Sequence, residues 1–312
     1  VNAAYAEPQE ISAWHSSRAK GIGSSDAAAV AGLDPYKTAL DVYLDKVGDR
    51  EPTGELPSDP QMRWGLLLEP AIARAYTLDT GIVLRKAEHK SHPVFPFVGC
   101  TPDYIGDDPE TKNEFIVELK SASPHMAKAW GEPGSDSIPE RTILQVQHQL
   151  AVYDLDRADV AVLIAGSDFR IYTIRRNDAL IADLLEAEQE FWSNHVERRI
   201  PPEPDWTNPR TPELIAKMYQ PEPGSEISLP DLLRTVEAYR FYKDAEAESK
   251  KKSEALKAEI TYAMKDAATC HVEGWKVSRK QVKRKAYSVA ETTYVDFRVT
   301  APKGKKEGIA DE

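Results

Sequence analysis

Three side chains of this sequence have the types and spacing to act together on a phosphate ester. They are Asp103, in Thr101-Pro102-Asp103, and Glu118 and Lys120, in Glu118-Leu119-Lys120. The apolar run Phe115-Ile116-Val117 ahead of Glu118 reads as a strand. Side chains alternate along a strand, so Glu118 and Lys120 share one face while Leu119 turns into the core. Asp103 is expected at the end of a preceding strand, Phe97-Val98-Gly99-Cys100, with the turn Gly106-Asp107-Asp108-Pro109 closing a hairpin that brings it beside Glu118. Two carboxylates so placed can hold Mg²⁺, a hard cation that prefers oxygen ligands and retains waters. Such a cation acidifies water and stabilises charge on a scissile phosphate. Lys120 can position the attacking water or help to deprotonate it. Taken alone, the triple is equally well explained as an ordinary hairpin with exposed polar residues.

Three further segments bear on that choice. Glu69 lies in Arg63-Trp64-Gly65-Leu66-Leu67-Leu68-Glu69-Pro70, a largely apolar helix. Leu66, Leu67, Leu68 and Ile72 favour its burial, and a buried carboxylate needs a partner, so Glu69 is a candidate third ligand. Its bland explanation is a solvated helix residue. Gln145, Gln149 and Tyr153 recur every four residues and share one helix face, placing two amides and a phenol toward the same centre, or else forming a polar surface stripe. His148, between them, reads as structural or surface rather than as a ligand. Finally, Arg18 precedes Gly21-Ile22-Gly23-Ser24-Ser25-Asp26 and an alanine run. A glycine turn with serine caps opening a helix, together with an arginine, makes a phosphate cradle, although a plain capped helix explains it as readily.

The elements that must position these residues follow from the pattern of apolar and turn residues. Helices are expected over 40–47, closed by Gly48, over 61–80, closed by Gly81, over 143–153, and over about 178–198. Strands are expected at 82–84, 97–100, 115–119, 160–165 and 169–174. Residues 49–60 form a Pro/Gly/acidic loop, and Pro201-Pro202-Glu203-Pro204 marks a boundary between a core of 1–204 and an extension of 205–312. The extension holds a highly charged helix over 229–264, a possible strand at 272–277, and a basic stretch from Lys276 to Lys285. A solvated arm is the preferred explanation for it, ahead of a surface that tracks DNA or docks a partner. With 312 residues and 41% hydrophobic composition, the chain can bury a substantial core. No apolar run is long enough for a membrane span, and no signal peptide is evident. Two distant cysteines, Cys100 and Cys270, exclude a disulfide framework and a zinc site and fit a reduced, cytoplasmic setting. The net charge of −11 argues against a generally DNA-binding surface but not against a local basic track.

In order along the chain, Trp14-His15-x-x-Arg18, the glycine turn into Ser25, Trp64-Gly65-x-x-x-Glu69, Pro102-Asp103, Glu118-Leu119-Lys120 and Gln145-Val146-Gln147 resemble the lambda exonuclease / YqaJ-type viral recombinase family of the PD-(D/E)xK nuclease superfamily. The resemblance covers roughly residues 12–200. It implies a restriction-endonuclease-like α/β core, a mixed sheet flanked by helices, here followed by a mainly helical C-terminal extension. It implies that Asp103, Glu118 and the Leu119 carbonyl hold Mg²⁺, which Mn²⁺ can replace, with catalytic roles for Glu69, Lys120 and Gln145. It implies that Arg18 and Ser25, with Ser24 close by, hold the 5′-terminal phosphate of DNA. Members of the family degrade one strand of duplex DNA ends 5′→3′, leave 3′ overhangs, form homotrimers and pass the single strand to an annealing protein. Related RecB-type domains carry Gln-x-x-x-Tyr on this helix, so Gln149 with Tyr153 competes with Gln145. A RecB-like or structure-specific endonuclease, and a non-catalytic end-binding scaffold, stand as alternatives.

Overall fold

The computed structural model describes residues 20–48 and 59–283 and positions 297 and 299. The expected Trp14–Arg18 segment, most of the loop after Gly48 and the basic residues from Arg284 onward lie outside the described residues. The chain divides into two compact units, Val1–Ile215 and Ala216–Glu312.

The first unit begins with β1 (Ile22–Gly23), α1 (Ala27–Val30) and α2 (Ala39–Val47). A reciprocal capping box between Thr38 and Asp41 starts α2, satisfying two amide groups that the first turn leaves free. Helix α3 (Pro60–Thr80) starts at Asp59, whose carboxylate accepts from the amides of Gln61 and Met62, with Pro60 where no amide is needed. It stops at Gly81, whose φ of 73° is readily adopted without a Cβ.

Strands β2 (Arg85–Lys86), β3 (Lys90–Ser91), β4 (Val98–Cys100), β5 (Tyr104–Asp107) and β6 (Glu114–Ala122) follow. Next come α4 (Glu140–Tyr153), β7 (Arg157–Ile164), β8 (Asp168–Arg175) and α5 (Asp178–Phe191), which runs on as a π-helical turn over Trp192–Val196. The main sheet has the order β2-β5-β6-β7-β8, with β6 and β7 parallel at its centre and the other pairs antiparallel. A smaller sheet pairs β4 with β1 in parallel and with β3 in antiparallel.

The two-residue period of β6 distributes its side chains between two cores. Phe115, Val117 and Leu119 pack with Ile72, Ala73 and Tyr76 of α3. Ile116 joins the larger core on the other face, with Val146 and Leu150 of α4, Val160 and Val162 of β7, and Ile181 of α5. The sheet is thus mixed and flanked by helices, the architecture the sequence leads one to expect.

Three strand assignments differ from expectation. Residues 82–84 form no strand, and β2 is formed one step later by Arg85 and Lys86. Strand β4 does not pair with β6. It belongs to the small sheet, and a separate strand, β5, forms the hairpin with β6 around the turn after Asp107. In the second unit, residues 272–277 are two strands, not one. Glu273 (φ 44°) and Gly274 (φ 88°) make the two-residue turn of a hairpin between β9 (Thr269–Val272) and β10 (Trp275–Ser278).

Helix α6 (Thr211–Met218) spans the division between the units. The second unit is dominated by α7 (Leu233–Met264), a helix of 32 residues in which Met264 alone is buried. Ion pairs one turn apart, Lys243–Glu246, Lys252–Glu248 and Lys257–Glu254, line its solvated surface. Among the described residues no helix is long and apolar enough to cross a membrane.

Candidate active site

Asp103 precedes β5, and the register Tyr104↔Val117 places it opposite Glu118. Its Oδ2 accepts the amide of Leu119 at 2.7 Å. Glu118 is buried, yet both carboxylate oxygens are occupied by donors. Oε1 accepts from Lys120 Nζ at 2.6 Å and from Gln145 Nε2 at 2.6 Å. Oε2 accepts from Gln149 Nε2 at 2.8 Å. Gln145 Oε1 in turn accepts from Lys120 Nζ at 3.0 Å, closing a ring of lysine, amide and carboxylate. Helix α4 lies across the β6 face that carries Glu118 and Lys120, and its four-residue repeat aims both amides at the same carboxylate. Gln145 and Gln149 are therefore partners, one on each oxygen of Glu118, rather than competitors.

Asp103 itself is held in an acid-strengthening contact but an unfavourable field. Burial, and after it the charges of Glu118 and Glu69, push its pKa well above the ordinary carboxylate value, against the opposing effects of Lys120 and the Leu119 amide. Glu69 lies close enough for its charge to count, but its own carboxylate forms an ion pair with Lys86. The burial expected for it is partial. Ile72 is buried, whereas Leu67, on the other side of α3, is 38% exposed.

The remaining expected residues separate into those that reach this centre and those that do not. Ser24 is buried and its hydroxyl accepts from Gln149 Nε2 at 3.3 Å, which brings the β1 loop to the Glu118 side of α4. Ser25 is exposed, and Arg18 lies outside the described residues. Helix α1 is a single turn of four residues with Asp26, not a serine, at its N-cap position and no side-chain cap. Asp26 is buried and binds Lys37 at 2.8 Å and Lys46 at 2.7 Å, so its carboxylate serves this ion cluster rather than an anion. Tyr153 turns away from Glu118. Its hydroxyl donates to the Glu88 carbonyl, the Lys90 ammonium lies 4.2 Å from the ring centroid, and burial raises the phenol pKa to about 12.

His148 is structural, as its sequence context indicates, and fully buried. Nδ1 meets Glu188 Oε1 at 2.7 Å and Nε2 meets the Gly99 carbonyl at 3.1 Å. Both partners accept, so the ring carries both protons. Burial alone would lower the His148 pKa, but the charge and hydrogen bond of Glu188, with the Gly99 carbonyl, outweigh it and raise the value.

Residues 13–158 match the YqaJ-like viral recombinase domain. Over 260 residues the chain is 32% identical to the uncharacterized protein YqaJ of Bacillus subtilis strain 168, an alignment covering 81% of this chain and 78% of that one. The chain belongs to the YqaJ-like viral recombinase family. Every residue of the ring around Glu118 falls within the YqaJ-like stretch. Two solved structures are similar in outline. The alkaline exonuclease LHK-Exo of Laribacter hongkongensis matches 60% of this YqaJ-like chain and 93% of its own, at 20% identity and a TM-score of 0.46. A phage-related exonuclease of Haemophilus somnus 129PT matches 57% and 96%, at 13% identity and a TM-score of 0.41.

One site residue of this YqaJ-like chain escapes a reading of the sequence. Lys86 sits on β2 beside Tyr104, two strands from Glu118, and reaches Glu69 from there. Only the pairing of β2 with β5 brings it in, and Arg85-Lys86 carries no motif that announces it.

Proposed function

We propose that this chain is a divalent-cation-dependent exonuclease that degrades one strand of duplex DNA from its 5′ end, leaving a 3′ overhang for recombination by strand annealing. The observation that carries this reading is the convergence of Lys120, Gln145 and Gln149 on Glu118, with Asp103 on the adjoining Leu119 amide, in a chain of the viral recombinase family.

The donor set fits a hard cation. Asp103 and Glu118 offer oxygen ligands, the Leu119 carbonyl follows Glu118 directly in sequence, and the repulsion that joins burial in raising the Asp103 pKa is what a positive ion would relieve. Among the described residues no three acidic, histidine or cysteine side chains group closely enough to hold a metal ion, so Asp103 and Glu118 are the side-chain ligands on offer. That suits Mg²⁺ or Mn²⁺ held by one or two carboxylates and keeping several waters. When bound, the cation would acidify water and offset charge building on the phosphate.

The protein's own groups divide the remaining work. Gln145 and Gln149 fix the rotamer of Glu118 by holding both its oxygens. Lys120, pinned by Glu118 and the Gln145 carbonyl oxygen, has a further N–H to orient the attacking water or the phosphate. Water adds at phosphorus, the P–O3′ bond breaks, and the shortened strand keeps a 5′-phosphate. Arg18 and Ser25, with Ser24, would receive that phosphate and so favour the next cut from the same end.

A linear duplex labelled at either its 5′ or 3′ end tests the reading. Mg²⁺-dependent release of the 5′ label as mononucleotide is expected, abolished by chelator and reduced about 10³-fold or more by Lys120→Ala, whose fold is checked by circular dichroism. Faster degradation of 5′-phosphoryl than 5′-hydroxyl ends is expected from the serine loop. Cutting of closed circular duplex at the linear rate would indicate an endonuclease instead.

A further inference from the structure

Lys86 has no part in the mechanism above, yet it pairs with Glu69, the acidic residue of the candidate site that Lys120 does not bind. Strand β2 pairs Lys86 with Tyr104, the residue next to Asp103. The ammonium forms an ion pair with Glu69 Oε1 and lies 4.0 Å from the Tyr104 ring centroid. Glu69 bears on Asp103 through its charge, and Glu69 and Glu118 each have an ammonium partner of their own, Lys86 and Lys120. The two lysines are differently placed. Lys120 is tied to Glu118 and Gln145 together, whereas Lys86 holds Glu69 alone among the carboxylates. The Glu69 side chain is 12% exposed and that of Lys86 36%, so the ammonium covers the carboxylate from the solvent side. A lysine is a flexible point charge and can leave without opening the fold.

We propose that Lys86 is the resting counter-ion of Glu69 and competes with the divalent cation for that carboxylate. With no cation present, the ion pair keeps Glu69 from adding a third unbalanced charge to Asp103 and Glu118. A doubly charged ion entering beside Asp103 draws Glu69 away, and the ammonium then remains over the Tyr104 ring. Lys86 therefore weakens cation binding while stabilising the empty site, because anything that favours the cation-free state lowers apparent affinity by linkage. This inference rests on the cation-dependent reading of the site.

Mn²⁺ binding to the full chain in the absence of DNA, followed by the electron paramagnetic resonance of free Mn²⁺, tests it with no activity measurement. Lys86→Gln is expected to bind Mn²⁺ about three- to tenfold more tightly than the unsubstituted chain. In a Glu69→Gln background the same substitution is expected to change the affinity less than twofold, because its effect passes through Glu69. Equal or weaker binding by Lys86→Gln, or an undiminished gain in the Glu69→Gln background, overturns the proposal. Asp103→Asn separates the two levels. If it loses Mn²⁺ while Lys86→Gln matches the unsubstituted chain, the role of Lys86 alone fails. If the unsubstituted chain binds no Mn²⁺, or Asp103→Asn binds it equally well, the cation site fails and takes the proposal with it. Circular dichroism confirms the fold of each variant, and Lys86, at a sheet edge and partly exposed, is a position where glutamine is tolerated.

Discussion

The surroundings of Asp103 disfavour its ionised form. Burial, then Glu118 and Glu69, raise its folded pKa well above 3.8, the value from which the unfolded carboxyl departs little. The sign of the linkage follows. Stability that the protonated Asp103 gives at low pH is lost as pH rises from the unfolded pKa through the folded one, and above the folded value the cation-free protein bears the repulsion. Asp103→Asn keeps an oxygen to accept the Leu119 amide and removes the charge. Loss of cleavage is expected together with a higher melting temperature without Mg²⁺, by about 2–4 °C for each kcal/mol of repulsion relieved. The gap between variant and unsubstituted chain should widen as pH rises through the folded Asp103 pKa and narrow when Mg²⁺ is added, as thermal melts in matched buffers would reveal. A residue whose neutral variant is more stable and inactive is one kept for chemistry rather than folding. The same reasoning separates Gln149 from Gln145. Gln149 Oε1 is buried with no hydrogen-bond partner in the structure, so Gln149→Leu removes an unsatisfied acceptor as well as a donor to Glu118. It is expected to lower cleavage about 10²-fold or more and, because Glu118 Oε2 loses its donor, to cost about 1–3 kcal/mol, measured by single-turnover rates and urea denaturation.

At the scale of elements, α4 is the piece that makes a site out of the β6 carboxylate, and His148 is what fixes its position. Through Glu188 and the Gly99 carbonyl, His148 ties α4 to α5 and to β4, three residues before Pro102. His148→Leu leaves Glu188 buried without its counter-charge and should cost about 3–5 kcal/mol in urea denaturation. The double substitution with Glu188→Leu should recover most of it, since replacing both charges by apolar groups of similar size is often neutral. The raised His148 pKa adds a sign: its contribution is complete below the unfolded pKa near 6.5 and fades as pH rises through the folded value. How far the sequence announces these elements depends on how local their causes are. Helices α2 and α3 are legible because Thr38, Asp59, Gly48 and Gly81 end them by short-range hydrogen bonds and φ preferences. Strand β6 is legible through its alternation, which already places Glu118 and Lys120 together. The partner of β6 is not legible, because Val98–Cys100 and Tyr104–Asp107 are both short and apolar, and only tertiary pairing decides which one joins the main sheet. The same limit hides Lys86, on a two-residue strand with no apolar signal, and misplaces Tyr153, whose four-residue spacing from Gln149 says nothing of the Glu88 carbonyl that captures its hydroxyl.

For the whole molecule, the question is how much of the chain the chemistry needs. Both apolar cores of the first unit are built by its own residues, and every donor around Glu118 lies between Ser24 and Gln149. The likeness to the Bacillus protein nevertheless goes further. It spans 81% of 312 residues, about 253, which exceeds the 215 of the first unit and so enters the second. Among the described residues no side chain of the arm belongs to these two cores, so a role for the arm is sought on its surface. Part of that surface is a poor polyelectrolyte contact, because three of the seven cations of α7, Lys243, Lys252 and Lys257, are already paired with glutamates of the same helix. Charge-driven DNA binding, which depends on releasing counterions, gains little from cations neutralised in this way. A chain ending at Gln220, past the end of α6, is therefore expected to keep the near-ultraviolet circular dichroism and thermal transition of the first unit and to cleave linear duplex at the same single-turnover rate. The slope of log Kobs against log[salt] for duplex binding should change by no more than about 2 on truncation. A loss of several units in that slope, with cleavage intact, would assign the arm to the DNA, and a slope that holds would leave a protein partner as what the arm is kept for.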